Sequence, residues 1–547
     1  LKQITGCNHR QFDATSLVFN EKQAARQAIR SGFQQLLINT SFWRKISMNA
    51  RLKQLSIAVI TTVVSLYGAH AFSDDTTRDL VAIGSPIRPA PVDPAIAHTL
   101  QQISPQQIQH TIETLVGFHT RNTLSSMTKD LPAGQGINAA ADWIESEFKR
   151  YSDACGGCLE VRRDTFTESP QSRIPQPTTI TNVYAILRGS DPTQAKRMYL
   201  VTGHYDSRDT DVLDTHGFAP GANDDASGVA VSLECARVLS KLKPSATLVF
   251  VAVAGEEQGL NGSRHLAKLA KSEGWQLEGV LNNDIVGGNT TPGDTLQNKS
   301  LVRVFSEGIP ASATPEQARL LQALGYESDS PSRELARFVL SVGETYHALG
   351  NVRKSSSGYF HPVLEFRRDR FLRGGDHSSF NQEGFPAVRF TEWREDFNHQ
   401  HQNVRTENGI EYGDLIKFVD FQYVAHVAAL NAATLATLAY APPVPENVHI
   451  VTKNLDNNTT LEWTTLNVPT GTQYEIVWRE LTASEWQRSV SASNVREFVA
   501  GSGPLEHPLP TGHSVTLPIS KDNVIFGVRA IDTQGHRSPA VVPMPAR

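Results

Sequence analysis

An α/β domain with a mostly parallel sheet sandwiched by helices, followed by a C-terminal all-β sandwich, is the fold that this sequence predicts. Three observations carry it. Between residues 105 and 441, apolar strand-like runs alternate with amphipathic helical stretches. At APPVPENV, a proline-rich joint, that alternation stops. Beyond it come about a hundred residues of short alternating strands separated by turn residues, with no helical pattern between them.

At 547 residues the chain is long enough for two or three cores. Its composition is that of a globular protein, 39% hydrophobic and 20% charged. A net charge of -5 and the absence of a lysine- and arginine-rich stripe argue against nucleic acid as a partner. Residues 1–47 show no clear pattern and are expected to be an over-extended start. From Met48 the chain reads as a secretory signal peptide, residues 48–71. Arg51 and Lys53 supply the basic end, Leu55 to Gly68 the apolar run, and Ala69-His70-Ala71 the cleavage site. The apolar run is short for a bilayer span, so no stable membrane span is expected after cleavage. The expected location is secreted or periplasmic. Residues 72–104, rich in Pro, Asp and Thr, read as an extension at the mature end.

The elements follow in order. PQQIQHTIETLVGFHTR places Ile108, Ile112, Leu115 and Val116 at helical intervals, and INAAADWIESEFKRY makes a second helix. Cys155 and Cys158 sit in CGGC, which an exported protein can close as a small structural disulfide. Cys235 falls in the apolar helix SGVAVSLECARVLSKL and reads as a buried free thiol. Strand-like runs are NVYAILRG, RMYLVTGH, ATLVFVAVAG, GVLNNDIVG and FPAVRFTEW. Residues 290–375 read as polar and loop-rich with helical patches, among them PEQARLLQAL and SRELARFVLSVGETYHALG. A long helix, from Gly413 to near Ala441, is expected to close the domain. After it, TTLEWTTL, QYEIVWREL, SVTLPI and VIFGVRAID are the strands of the sandwich. Trp463, Tyr474 and the closing VRAIDTQGHRSPA resemble a fibronectin type III module over residues 442–547, one that would bind a surface or substrate.

Chemistry concentrates in four motifs: GHYDS, GANDDASG, AGEEQGLNGS and NNDIVGG. They supply His204, Asp206, Asp224, Asp225, Glu256, Glu257 and Asp284, and they sit at strand ends or helix starts, where open α/β sheets bind ligands. Six carboxylates this close repel one another unless cations lie between them. Imidazole and carboxylate are the ligands zinc takes in catalytic sites. A carboxylate has two oxygens, so one Asp can bridge two ions. Asp206, two residues after His204, is placed to orient that imidazole. Of the Glu256-Glu257 pair, one can bind metal while the other takes a proton from water. A further histidine is needed, and NHQHQN offers His399 and His401.

The order HxD, NDD-x-SG, GEE-x-G-x-x-GS, an Asp after a strand and a late His resembles the secreted dizinc aminopeptidases, a family related to glutamate carboxypeptidases and glutaminyl cyclases. The similarity covers roughly residues 105–441 and implies the zinc-peptidase fold with two zinc ions per chain. It implies Asp224 as bridging ligand, with Asp225 following across a cis peptide bond. Glu257 and the late His would complete one metal, and His204 and Asp284 the other. Glu256 would be the general base. The family's late motif has Tyr-His-Thr where this chain has HQHQNVR; His401 is taken from its spacing to Phe397 and Asn398, with His399 the fallback. DHSSF (Asp376–Phe380) resembles an element near the family's substrate pocket. The expected activity is removal of N-terminal residues from peptide or protein substrates by hydroxide attack between the two metals. Glutaminyl cyclase or carboxypeptidase chemistry on the same scaffold, and a non-catalytic surface-binding protein, are the alternatives. A carboxypeptidase would draw its cationic pocket from Arg367, Arg368, Arg370 and Arg373.

Overall fold

The computed structural model describes residues 78–346, 359–492, 496–499 and 511–546. The expected start extension and the signal segment 48–71 lie outside them.

The α/β part is built on eight strands: β1 Leu159–Glu168, β2 Thr178–Leu187, β3 Arg197–His204, β4 Thr247–Val253, β5 Gln276–Asn283, β6 Leu301–Ser306, β7 His361–Glu365 and β8 Ala387–Glu392. Their spatial order is β1-β2-β4-β3-β5-β8-β6-β7. The four central strands β4, β3, β5 and β8 run parallel. Antiparallel pairs flank them, β1 with β2, β2 with β4, and β6 with β8. The central strands are buried on both sides, which is why they read as continuous apolar runs. Side chains alternate between the two faces. Met198 and Leu200 of β3 enter one core, while Tyr199 and Val201 enter the other.

Helices cover both faces. Helices α1 Pro105–Gly117, α2 Ile137–Ala154, α3 Ala226–Leu239, α5 Pro331–Tyr346 and α7 Phe421–Tyr440 contribute to the larger core, and α4 Asn261–Ser272 and α6 His377–Gln382 to the smaller. The helix Pro94–Leu100 adds Ile96 and Leu100 to the larger core, so this part of the expected extension is woven into the fold. Cys155 and Cys158 are bonded between α2 and β1, and Cys235 is buried as a free thiol.

Four elements differ from the reading above. The closing helix begins at Phe421, not Gly413, because Asp420 caps it by accepting from Gln422 N and Tyr423 N. Residues Ile416–Phe418 form a separate 3-10 turn. The stretch 290–375 holds two strands, β6 and β7; β7 is five residues long and its apolar pattern is too brief to show. Strand β1 went unread because its alternation is broken by Arg162-Arg163, which fit an outermost strand half open to water.

After α7 the chain forms two sheets. One joins β11 Gln473–Glu480 to β12 Arg488–Ser491 and β15 Val524–Ile531. The other joins β9 Glu446–Val451, β10 Thr459–Thr465, β13 Arg496–Val499, β14 Thr511–Leu517 and β16 Met544–Ala546. Ladders are antiparallel except β9 with β16. Trp463, Tyr474, Ile476, Trp478 and Phe526 from both sheets share one core. This region is stitched to the rest. Ser85–Pro86 pairs with β12 as an edge strand, and Trp478 Nε1 donates to Leu80 O at 2.8 Å. Buried Arg479 pairs with buried Asp329 just before α5, and Trp486 Nε1 donates to Glu334 of α5 at 3.0 Å.

Candidate metal centre

The parallel strands β4, β3 and β5 lie side by side, so their carboxyl ends open at one place. His204 is the last residue of β3. Glu256 and Glu257 follow β4 after Gly255, whose φ of 77° turns the chain. Asp284 follows β5 directly. Asp224 stands before α3, joined to Asp225 by a cis peptide bond. His401, with φ 52°, comes from the loop after β8.

These side chains form two sets that share Asp224. In one, ligand atoms of His204, Asp224 and Asp284 lie within 4.8 Å of one another; in the other, those of Asp224, Glu257 and His401 do. His204 Nε2 is 3.1 Å from Asp224 Oδ1, and His401 Nε2 is 3.0 Å from Asp224 Oδ2. His401 Nε2 is also 3.0 Å from Glu257 Oε1. His399 is in neither set. It is buried, stacks on Phe418 at 3.6 Å and meets Asn289 Oδ1 at 3.0 Å.

The electrostatics ask for positive charge at both places. Burial opposes a charge on His204, yet contacts with Asp206 and Asp224 raise the imidazole well above its ordinary value. Burial likewise opposes a charge on His401, but Glu257 and Asp224 push it up to about 10. Asp224 is buried too, and its two imidazole neighbours hold its carboxyl well below the usual range. The donor set fits zinc. It is imidazole nitrogen and carboxylate oxygen, and the 3.0–3.1 Å gaps are close to the about 3.3 Å that separates ligands on one tetrahedral zinc. Nδ1 of His204 is 3.1 Å from the backbone oxygen of Asp206; as donor there it leaves the Nε2 lone pair free for a metal.

Glu256 is in neither set. It is partly open, and burial, with Asp284, Glu257 and Asp376 nearby, pushes its carboxyl well above the usual range. A carboxyl raised in this way takes up a proton more readily than a free one, which suits a proton acceptor.

A ring of buried groups holds the turns. Asp206 accepts from the backbone N of Glu256 (3.3 Å) and Glu257 (3.1 Å), as well as from Thr123 Oγ1 (3.1 Å). Its carboxylate therefore fixes the glutamate turn as well as facing the imidazole. Asp225 accepts from His204 N (3.0 Å), Gly228 N (2.9 Å) and Ile285 N (3.3 Å), tying β3, α3 and the turn after β5. Four groups that the sequence reading did not single out complete the ring. Asp414 accepts from Asn223 N and Asp224 N, and burial pushes it up to about 7. Glu392 accepts from Asn223 Nδ2, which lies 3.2 Å from each of its carboxylate oxygens, and from the backbone N of Asn289 at 2.8 Å. Arg121 donates to the carbonyls of Leu115, Tyr205, Pro220 and Gly221. Arg389 pairs with Asp284 at 2.8 Å. Asp376 is fully buried, and neither carboxylate oxygen has a hydrogen-bond partner among the described residues. His377, next to it, is buried against Arg368 O, and His361 is exposed.

The four arginines of the 367–373 loop are engaged locally. Arg370 and Arg373 pair with Glu395 at 2.7 and 3.0 Å, Arg367 lies over Phe371, and Arg368 is 3.6 Å from Glu307.

The chain is similar to known peptidases. Residues 182–421 match the model of peptidase family M28. A probable zinc metalloprotease of Pyrenophora teres f. teres is 45% identical over 467 residues, 85% of this chain and 90% of that protein. One of Leptosphaeria maculans is 46% identical over 462 residues, 84% of this chain and 99% of that protein. Among solved structures, an aminopeptidase of Legionella pneumophila aligns with a TM-score of 0.44 at 18% identity, over 64% of this chain and 76% of that one.

Proposed function

This chain belongs to peptidase family M28 and is a zinc metalloprotease, and from that premise we propose that it is an exported aminopeptidase. The observation that carries the reading is the pair of three-ligand sets hinged on Asp224, with Glu256 standing free beside them. In this reading His204, Asp224 and Asp284 would hold one zinc and Asp224, Glu257 and His401 the other. Zinc held there supplies Lewis acidity, polarising a scissile carbonyl and lowering the pKa of water. Glu256 takes the proton of the attacking water on a side-chain oxygen and returns it to the leaving amine. Asp206 keeps Glu256 and Glu257 apart in role by holding both of their amides, so one side chain turns to the ligand set and its neighbour stays free. Asp225 and Asp414 keep the Asp224 turn in register with β3.

The preference for a free N-terminus is what kinship with the dizinc aminopeptidases suggests. The engagement of Arg370 and Arg373 by Glu395 gives little support to a carboxylate-binding pocket there. Export is supported by the signal-like segment 48–71 and by the Cys155–Cys158 disulfide. The terminal sandwich is read as a fibronectin type III-like module on the strength of its two sheets and its Trp463–Tyr474 core.

The test is a panel of aminoacyl and N-blocked peptides with and without chelator. Free N-terminal substrates are cleaved one residue at a time, blocked ones are not, and chelation stops turnover. Cleavage of blocked peptides from the other end would overturn the aminopeptidase reading. Glu256→Ala should keep its zinc and lose turnover; a normal rate in that variant removes Glu256 from the chemistry.

A further inference from the structure

The two ligand sets differ in one respect. Arg389 sits in the middle of β8, opposite Asn282 of β5, and is fully buried. Its guanidinium lies 2.8 Å from Asp284 Oδ1. It also reaches Asp369 Oδ2 at 3.1 Å and the backbone oxygen of Gly374 at 2.6 Å. Asp284 is thus a ligand whose charge is already shared with a fixed cation. Among the described residues no arginine or lysine pairs with the glutamate of the other set. Glu257 Oε1 faces the His401 imidazole, 3.0 Å from its Nε2.

A carboxylate binds zinc with the electron density it has to give. A guanidinium on one oxygen draws density from the other and places positive charge near the incoming ion. In a buried site that repulsion is poorly screened. Asp369 limits the effect by taking part of the arginine's charge. The Gly374 carbonyl and the sheet fix the guanidinium, so it cannot swing away when metal arrives.

We propose that Arg389 is a tuning residue that weakens zinc binding at the His204–Asp284 position, so that the two zinc ions are held with unequal affinity and the Glu257–His401 position fills first. This rests on the two-zinc reading above. Replacing a group bonded to a metal ligand commonly costs about 10- to 100-fold in affinity. Arg389 differs in being a cation that faces the incoming ion, so an effect of opposite sign and of at least about tenfold is expected of it.

The test uses the full chain, stripped of zinc and titrated with Zn2+ against a chromophoric chelator. Wild type should show two steps at least about tenfold apart. Glu257→Ala should remove the tighter step and Asp284→Ala the weaker. Asp369→Asn leaves the guanidinium to Asp284 alone and should weaken the second step further without moving the first. Arg389→Gln should strengthen the second step and narrow the gap. If Arg389→Gln fails to fold, because Asp369 is left buried and unpaired, the Arg389→Gln/Asp369→Asn double variant replaces it. A weaker second step after loss of Arg389, or equal shifts in both steps, overturns the tuning role. Two equal steps in wild type overturn it as well. A single equivalent of zinc sinks the two-zinc reading itself, and the inference with it.

Discussion

Replacing Asp414 by alanine should both loosen the fold and release zinc, although Asp414 belongs to neither ligand set. Its Oδ1 accepts from Asn223 N at 2.8 Å, and its Oδ2 accepts from Asp224 N at 2.7 Å. Both amides are buried, and alanine would leave them without a partner. Each orphaned buried amide costs about 1–3 kcal/mol, so the pair costs about 2–6 kcal/mol. Arg121 loses a nearby negative charge as well, but its four carbonyl partners keep it satisfied. The Asp224 turn then drifts, and Asp224 serves both metals. Zinc affinity should fall about 10- to 100-fold at both positions, as for other groups that orient a ligand. Asn at 414 keeps one acceptor oxygen but points an amide hydrogen at the other N–H, so it should fall between wild type and alanine. Denaturant unfolding of the zinc-free chain gives the first number, and chelator competition gives the second. A variant that loses stability but binds both zinc ions as tightly as wild type would refute the positioning argument. So would loss at only one position.

Three further outcomes follow from the same geometry. Gly228 opens α3 against β5: a Cβ there would lie 2.2 Å from Asn283 O and 2.5 Å from Asp225 Oδ2, so Gly228→Ala should lower stability by about 1–3 kcal/mol or more and disturb the Asp224 turn, read by thermal unfolding and zinc content; an unchanged melting temperature would mean the helix has room to move. Truncation after residue 443 should give an aggregated or strongly destabilised chain, because it strips Arg479 from buried Asp329, Trp486 from Glu334 and β12 from Ser85–Pro86; breaking one buried ion pair alone costs about 3–5 kcal/mol, and a soluble truncated enzyme with wild-type melting would show the sandwich to be dispensable. His536 is held by Asp532 at 2.7 Å and Asp93 at 3.0 Å; burial opposes its charge, but these two outweigh it and raise it above its ordinary value. A raised histidine contributes stability in full below its unfolded value of about 6.5 and loses it as pH rises through the folded value, so the gap in melting temperature between wild type and His536→Gln should shrink as pH rises above about 6.5; a constant gap would assign His536 a packing role only.

What the sequence made legible, and what it hid, follows from how each residue acts. The ligands His204, Asp224, Glu257 and Asp284 act through their own side chains at the ends of apolar strands, and a carboxylate or imidazole placed there is visible as an anomaly in an apolar run. The histidine was harder. His399 and His401 lie two residues apart in a loop, and what separates them is a left-handed backbone at His401 and an aromatic stack under His399, neither of which has a local signature. The α/β alternation and the change of pattern near Ala441 were plain, whereas β1, β6 and β7 were lost where charge or brevity masked the period.

The residues that hold the ligands in place were hidden for a different reason. Asp414 is 190 positions from Asp224 and works through a backbone amide that every residue possesses. Glu392 acts through the Asn223 side chain, and Arg389 sits in a strand that reads as ordinary sheet. Nothing in a short window distinguishes an aspartate that binds metal from one that binds two amides. The same logic bears on Asp206 and Asp225, which were read beside the ligands because their motifs contain them. Their carboxylates serve mainly as acceptors for backbone N–H groups of other motifs. A centre with this much negative charge is therefore held as much by amides and two buried arginines as by the zinc it is shaped for. It follows that zinc-free protein should keep the ligand turns and lose chiefly the charge balance, which makes metal loss and fold loss separable in this enzyme.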